Sequence, residues 1–304
     1  MPASILPILF CLDEHPLAGL LSTKLHCSRG ELNQRHFPDG EYYLRIASDV
    51  KNKPCIVLAD LSNPNNKYLP LMFLAETLRE FGAASVGLLA PYLSYMRQDK
   101  RFHEGEALTS KIFAQDLSQH VDWLVTVDPH LHRYHSLDEI YTIPSQVVQS
   151  APALSNWLQQ QGNAFLVGPD AESEQWVKEI AEHSGHDYVI GKKQRFGDRH
   201  VEVQLPNLGQ YQQSTAIIID DVISSGHTIL ECIEALKKQG IKSMACAAVH
   251  GVFADNSDKQ LLDAGLKQLV TCNTIKHSSN AVDVSPLLVE PIQTCIAIVG
   301  GHAQ

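Results

Sequence analysis

The stretch Ala216-Ile217-Ile218-Ile219-Asp220-Asp221-Val222-Ile223-Ser224-Ser225-Gly226-His227-Thr228 leaves the chain few ways to fold around it. Four apolar residues, three of them β-branched, predict a buried strand. Two carboxylates and a small-residue turn follow. Ile229, Ile233 and Leu236 then recur at helical spacing until Gly240 closes the helix. Strand, short loop and helix in this order aim free backbone N–H groups and a helix dipole at an anion. The paired acids just upstream suit sugar hydroxyls or a magnesium ion. The loop has no lysine, and GxxxxGK[ST] occurs nowhere in the chain, which excludes a Walker A site. Taken alone, these residues also fit a strand end and an ordinary helix cap.

The same order recurs earlier. Residues 55–59 read as a buried strand ending in Asp60, a polar loop leads to a helix over about 68–81, Gly82 closes it, and 85–90 is the next strand. No useful sequence identity accompanies this weak duplication. Two strand–helix–strand halves in 304 residues predict an α/β chain of two domains, 1–145 and 146–304, each a mostly parallel sheet flanked by helices. Ligands in such sheets sit beyond the carboxyl ends of the strands. Other expected elements are a first strand over 5–11 and helices over 17–25, 107–117, 147–158 and 174–181.

Several charged or aromatic segments interrupt this frame. Phe37-Pro38-Asp39-Gly40-Glu41 joins two strand-like runs as a turn, with an aromatic face and an acceptor suited to a purine. Residues 91–106, which include Arg97-Gln98-Asp99, form a charged loop that by itself fits a solvated face. A strand over 121–127 delivers Asp128-Pro129-His130, with His132 and His135 close behind. Pro129 argues against a helical zinc site, and one imidazole with carboxylates around a magnesium-bound nucleotide is the better match. Residues 164–170 read as a strand ending in Gly168-Pro169-Asp170. The cations Lys192, Lys193, Arg195 and Arg199 suit a mobile loop closing over phosphates, or a solvated basic hairpin.

Composition narrows the function classes. A net charge of −10 argues against a general nucleic-acid binder. No apolar run approaches the roughly 20 residues of a membrane span, and Met1-Pro2-Ala3-Ser4 lacks the basic region of a signal peptide. The seven cysteines are scattered without a CxxC, as expected of reduced thiols in a cytoplasmic protein.

Together the segments resemble the ribose-phosphate pyrophosphokinase (phosphoribosyl pyrophosphate synthetase) family along nearly the whole chain. They run in the family's order: F-P-D-G-E at 37–41, P-Y-L-x-Y-x-R-Q-D at 91–99, D-P-H at 128–130, G-P-D at 168–170, K-x-R at 193–195, DD…S-S-G-x-T at 220–228 and H-G-V-F at 250–253. The resemblance implies two phosphoribosyltransferase-like domains, the first on the ATP side and the second on the ribose 5-phosphate side; the short hydrophobic end 292–304 is expected to pack on the first. It implies transfer of the β,γ-diphosphoryl group of ATP to the 1-hydroxyl of ribose 5-phosphate, with Mg2+ and in a homo-oligomer. Phe37, Asp39, Glu41, Arg97, Gln98 and Asp99 would bind ATP, and His130 and Asp170 the metal. Asp170, Asp220, Asp221, Ser224, Ser225, Gly226, His227 and Thr228 would hold ribose 5-phosphate. Lys193 and Arg195 would be catalytic.

The chain departs from the family pattern in three places. His227 stands where a small residue is commoner, Ala171-Glu172-Ser173 replaces a glycine-rich continuation, and 97–106 follows a shorter F-x-x-G-E form that leaves the usual allosteric phosphate site in question. A phosphoribosyltransferase consuming phosphoribosyl pyrophosphate accounts for 216–228 but gives 37–41 and 97–99 no task. A non-catalytic regulatory homologue is expected to have lost His130, Asp170, Lys193 or Arg195, all of which are present.

Overall fold

The computed structural model describes residues 6–131, 133–196 and 200–301, so the readings on Met1 to Ser4, Ile5, His132, Gly197-Asp198-Arg199 and Gln304 lie outside it. The residues up to Gln149, with those from Ser285 onward, form one compact unit, and Ser150–Val284 form another.

The first unit runs β1 (Ile8–Cys11), α1 (Leu17–Lys24), β2 (Ser28–Arg29), β3 (Leu32–His36), β4 (Tyr42–Ile46), β5 (Pro54–Leu58), α2 (Pro64–Glu80), β6 (Ser85–Ala90), α3 (Thr109–His120), β7 (Trp123–Val127) and β8 (Ser145–Val148). Its sheet is parallel throughout, in the order β2-β1-β5-β6-β7-β8, and β3–β4 is a separate antiparallel hairpin. Cys55 to Leu58 and all of β6 and β7 are buried, as strands covered on both faces must be. Leu71, Leu74 and Leu78 of α2 and Phe113, Ala114 and Leu117 of α3 cover one face of the sheet, each set at helical spacing.

The second unit runs α4 (Ala151–Leu158), β9 (Ala164–Gly168), α5 (Glu174–Ser184), β10 (Asp187–Ile190), β11 (Lys192–Phe196), β12 (His200–Gln204), β13 (Thr215–Ile223), α6 (His227–Lys238), β14 (Met244–Gly251), α7 (Ser257–Asp263), β15 (Gln268–Cys272) and β16 (Asn280–Val282). Its sheet is again parallel, in the order β10-β9-β13-β14-β15-β16, and β11–β12 is an antiparallel ribbon. The two orders are the same path drawn twice. The weak duplication of sequence is therefore a full duplication of topology. It makes the β3–β4 hairpin, which carries Phe37, the counterpart of the β11–β12 ribbon, which carries Lys193 and Arg195. The helix α8 (Ser285–Gly301) packs on β6, β7 and β8 of the first unit, burying Leu288, Ile292 and Cys295.

Several boundaries differ from the sequence reading. The expected helix over 147–158 is two elements, because Val147 and Val148 pair with Thr126 and Val127 and the helix starts only at Ala151. Helix α2 begins at Pro64, ahead of the expected 68. Asn63 takes a left-handed φ of 55° and proline then supplies a helical φ at the first position. β13 does not stop at its acids but runs to Ile223, pairing Val222 with His250. The hydrophobic end of the chain is a helix that continues through Pro291. Among the described residues no helix is long and apolar enough to cross a membrane.

Candidate active site

In the second unit the candidate residues gather at the carboxyl end of the sheet. Asp220 and Asp221 are the sixth and seventh residues of β13, and each carboxylate accepts the next backbone N–H: Asp221 N donates to Asp220 Oδ1 at 3.0 Å and Val222 N to Asp221 Oδ1 at 2.8 Å. Burial pushes the Asp220 carboxyl well above the usual carboxylate range, and the neighbouring Asp221 and Asp170 carboxylates push it further. The Asp221 and Asp170 carboxylates are thus near enough to act on Asp220, a concentration of negative charge suited to a cation or a hydroxyl-bearing ligand.

The loop beyond them, Ser224 to Gly226, turns through Gly226 at φ 72° and enters α6 at His227. Added bulk there is tight as well: a Cβ on Gly226 would stand 3.2 Å from Ser257 Cβ. Helix α6 is fixed to the sheet by Ile229, Cys232, Ile233 and Leu236, all fully buried; each such side chain stabilises by about 1.5–3 kcal/mol. Its N-terminal N–H groups therefore face the loop from a rigid support. The His227 imidazole lies along the helix, Nε2 3.8 Å from Glu231 Oε1.

The loop is also held from the neighbouring strand. Val252 N and Phe253 N donate to Ile223 O at 2.9 and 3.1 Å, and Ser257 Oγ donates to Ser224 O at 2.7 Å. The turn that makes these bonds carries three left-handed non-glycine residues, Phe253, Asp255 and Asn256. Such conformations persist where surrounding structure imposes them. His250 is buried against Thr274 at 2.9 Å, and Phe253 packs on the His277 ring at 4.4 Å. The H-G-V-F segment thus braces the small-residue loop. Ser257 was missed by sequence reasoning, since a serine opening a short helix carries no signal of a distant partner.

Asp170 caps a short turn at 171–173, its Oδ1 accepting from Glu172 N at 3.1 Å and Ser173 N at 3.2 Å. Ala171-Glu172-Ser173 therefore keeps the acid oriented without glycines. Gly191 N donates to Gly168 O at 2.8 Å, and a Cβ on Gly191 would fall 2.7 Å from Pro169 O. The basic ribbon thus springs from the backbone of the G-P-D turn, which only a glycine at 191 permits. Lys193 and Arg195 occupy alternate positions of β11, opposite Val203 and Val201.

In the first unit Phe37, Asp39 and Glu41 lie at the tip of the hairpin. Phe37 N donates to Glu41 O at 2.7 Å, Gly40 N donates to Phe37 O at 2.9 Å, and Asp39 Oδ1 accepts from Glu41 N at 3.2 Å. Phe37 is 38% exposed, and the Arg35 guanidinium stacks 4.4 Å from its ring and 4.7 Å from that of Tyr43. Arg35 and Tyr43 extend the aromatic, cationic face beyond the predicted residues. Arg97 is exposed and Gln98 half-buried in the loop after β6, while Asp99 is buried and paired with Arg133 at 2.5 Å. His130 is half-buried in the loop after β7, which starts from Asp128 at φ 34°. Arg97 and His130 thus stand beyond the carboxyl ends of neighbouring strands, where ligands of parallel sheets bind.

Comparison with known proteins joins these pieces. The family model for the N-terminal domain of ribose phosphate pyrophosphokinase matches residues 7–120, and that for the phosphoribosyl transferase domain matches residues 136–287. A ribose-phosphate pyrophosphokinase of Sulfurisphaera tokodaii is 32% identical over 270 residues, covering 86% of this chain and 91% of the relative. One from Methanothermobacter thermautotrophicus is 27% identical over 93% of this chain and 98% of the relative. The crystal structure of phosphoribosylpyrophosphate synthetase from Mycobacterium smegmatis shares the fold, with a TM-score of 0.81 at 22% identity over 96% of this chain and 99% of that one. By sequence over most of its length, and with the same two-unit fold, this chain belongs to the ribose-phosphate pyrophosphokinase family.

Proposed function

We propose that this enzyme transfers the β,γ-diphosphoryl group of ATP to the 1-hydroxyl of ribose 5-phosphate. The C1 hydroxyl oxygen attacks the β-phosphorus, the bond from that phosphorus to the α,β-bridging oxygen breaks, AMP leaves, and the hydroxyl proton is released. Family membership supports the reaction, and one observation carries the assignment of the sugar side. Asp220, raised by burial and by two acidic neighbours, stands at the mouth of a braced small-residue loop that opens a helix. Asp220 and Asp221 accept the ribose 2- and 3-hydroxyls, and Ser224, Ser225, Gly226, His227 and Thr228 surround the 5-phosphate with N–H and O–H donors.

On the nucleotide side, Phe37, with Asp39 and Glu41, holds adenine, and Arg97 and Gln98 hold the phosphates. Lys193 and Arg195 reach the transferring group from the ribbon. Diphosphoryl transfer asks chiefly for in-line positioning and charge neutralisation, which these cations supply. Carboxylate oxygens are the hard donors magnesium takes, one or two at a time, completing its shell with water and phosphates. His130 and Asp170 are the side chains proposed for it; when bound, the ion neutralises charge on the phosphoryl oxygens. The free, mostly buried cysteines suit a reducing compartment, the cytoplasm. We place the enzyme there as a homo-oligomer.

The test is to mix the purified protein with Mg-ATP and ribose 5-phosphate and resolve the products by phosphorus NMR. AMP and phosphoribosyl pyrophosphate rising together are expected. ADP in place of AMP, or no turnover, overturns the assignment.

A further inference from the structure

Asp99 was expected to meet the nucleotide, yet its carboxylate is turned inward, 2% exposed, and accepts a hydrogen bond from Arg133 Nη1 at 2.5 Å. A buried carboxylate needs such a partner, because an unpaired charge out of water is very costly. Arg133 comes from the loop after β7, which also carries His130. The next residue makes a second bridge to the same place. Tyr134 Oη lies 3.0 Å from Ser110 Oγ, and Ser110 Oγ donates to Gln98 O at 3.0 Å. Ser110 has one hydroxyl proton and spends it on Gln98, so Tyr134 donates to Ser110. Ser110 N also reaches Gln98 O at 3.4 Å, and Thr109 Oγ1 reaches Gln98 Oε1 at 3.4 Å. Arg133 further lies 5.6 Å from the ring of exposed Phe102, which Lys100 approaches at 4.6 Å from its own loop. Two consecutive residues of one loop therefore grip two consecutive residues of the other.

We propose that Arg133 and Tyr134 are positioning residues that lock Gln98 and Asp99 to the loop after β7, so that Arg97 and Gln98 meet the nucleotide in one fixed geometry. This rests on the nucleotide-side reading given above. Asp99 then serves nucleotide binding through Arg133. A loop of this length, cut loose at both bridges, samples many arrangements, and ordering it anew at each binding event weakens affinity.

The experiment compares wild type with Arg133→Met, Arg133→Lys and Tyr134→Phe. Steady-state kinetics are run on ATP and on ribose 5-phosphate, and calorimetry measures binding of a non-hydrolysable ATP analogue. Arg133→Met is expected to raise KM for ATP by about tenfold or more, as misplaced binding groups do, with KM for ribose 5-phosphate unchanged. Arg133→Lys, which keeps the charge, recovers part of the loss. Tyr134→Phe strands no charge and folds normally; it is expected to weaken analogue binding by several-fold while the melting temperature stays close to wild type. An unchanged ATP KM and analogue affinity in Tyr134→Phe and in folded Arg133→Met overturns the bracing role. So does an equal loss for both substrates. A wild type that turns over neither substrate overturns the functional reading itself, a result distinct from both.

Discussion

Lys67 places its ammonium 2.9 Å from Asp60 Oδ1 and 3.0 Å from the Asp60 carbonyl, at the point where β5 of the first unit hands over to α2. By topology β5 is the counterpart of β13, so Asp60 stands where the second unit carries Asp220 and Asp221. The two copies resolve the same acid differently. In the first, the chain supplies its own cation and Ser62 also bonds the carboxylate, closing the loop on itself. In the second, Asp220 has the further acids Asp221 and Asp170 beside it, which raise its carboxyl along with burial. The small-residue loop after β13 has no lysine of its own.

Lys67→Met therefore acts on stability. It leaves the Asp60 carboxylate, 7% exposed, without its cation, and breaking such a pair costs about 3 kcal/mol. Denaturant titration is expected to show this loss, with an unchanged KM for ribose 5-phosphate. A stable variant with weakened ribose 5-phosphate binding would instead assign the sugar to the first unit.

Asp220→Asn should separate stability from function. An acid with a folded pKa above its unfolded value of 3.8 contributes stability that is full below that value and lost as pH rises through the folded one. Wild type should therefore lose stability relative to Asp220→Asn from about pH 4 upward. Melting curves across that range test the sign. Affinity for ribose 5-phosphate should fall in the same variant, because an amide, with one acceptor oxygen and no charge, replaces a carboxylate proposed to accept a ribose hydroxyl.

Much of this was legible in the sequence, for identifiable reasons. The β-branched run before Asp220 and the 3–4 spacing of Ile229, Ile233 and Leu236 fix strand and helix locally, so the strand, the small-residue turn and the helix could be read without a fold. The parallel sheets followed from two strand–helix–strand halves. Val147 and Val148 were misread because a short apolar run before a helix has no period of its own; their pairing with β7 decides the matter. Asp99 and Ser257 were opaque for a different reason. What each does depends on partners 34 and 33 residues away, Arg133 and Ser224, and no local pattern encodes that contact.

Lys193→Ala and Arg195→Ala test the ribbon. Both residues belong to a two-stranded element rooted at Gly191, outside the parallel sheet, so neither is expected to support the core. If they stabilise charge on the transferring group, turnover should fall by about 10²–10³-fold or more while ATP still binds. Single-turnover kinetics beside nucleotide calorimetry read the two quantities apart. Near-normal turnover in both variants would remove them from catalysis.

Ser257→Ala asks whether the brace behind the small-residue loop matters to the sugar phosphate. Ser257 is fully buried and its hydroxyl makes one bond, 2.7 Å to the Ser224 carbonyl, close against Gly226, whose left-handed φ disfavours a side chain. Removing the hydroxyl takes one donor from that carbonyl, at a cost of about 1 kcal/mol. The expected stability loss is thus small. If the loop holds the 5-phosphate, as proposed, its N–H groups do so only while several point at it together, and Ser224 is the first residue of that arc. Letting it rotate spoils the convergence without touching any ligand-facing atom. KM for ribose 5-phosphate should rise several-fold, KM for ATP should stay at the wild-type value, and kcat at saturation should recover. A uniform fall in kcat with both KM values unchanged would mean that the 253–257 turn sets something other than the phosphate loop.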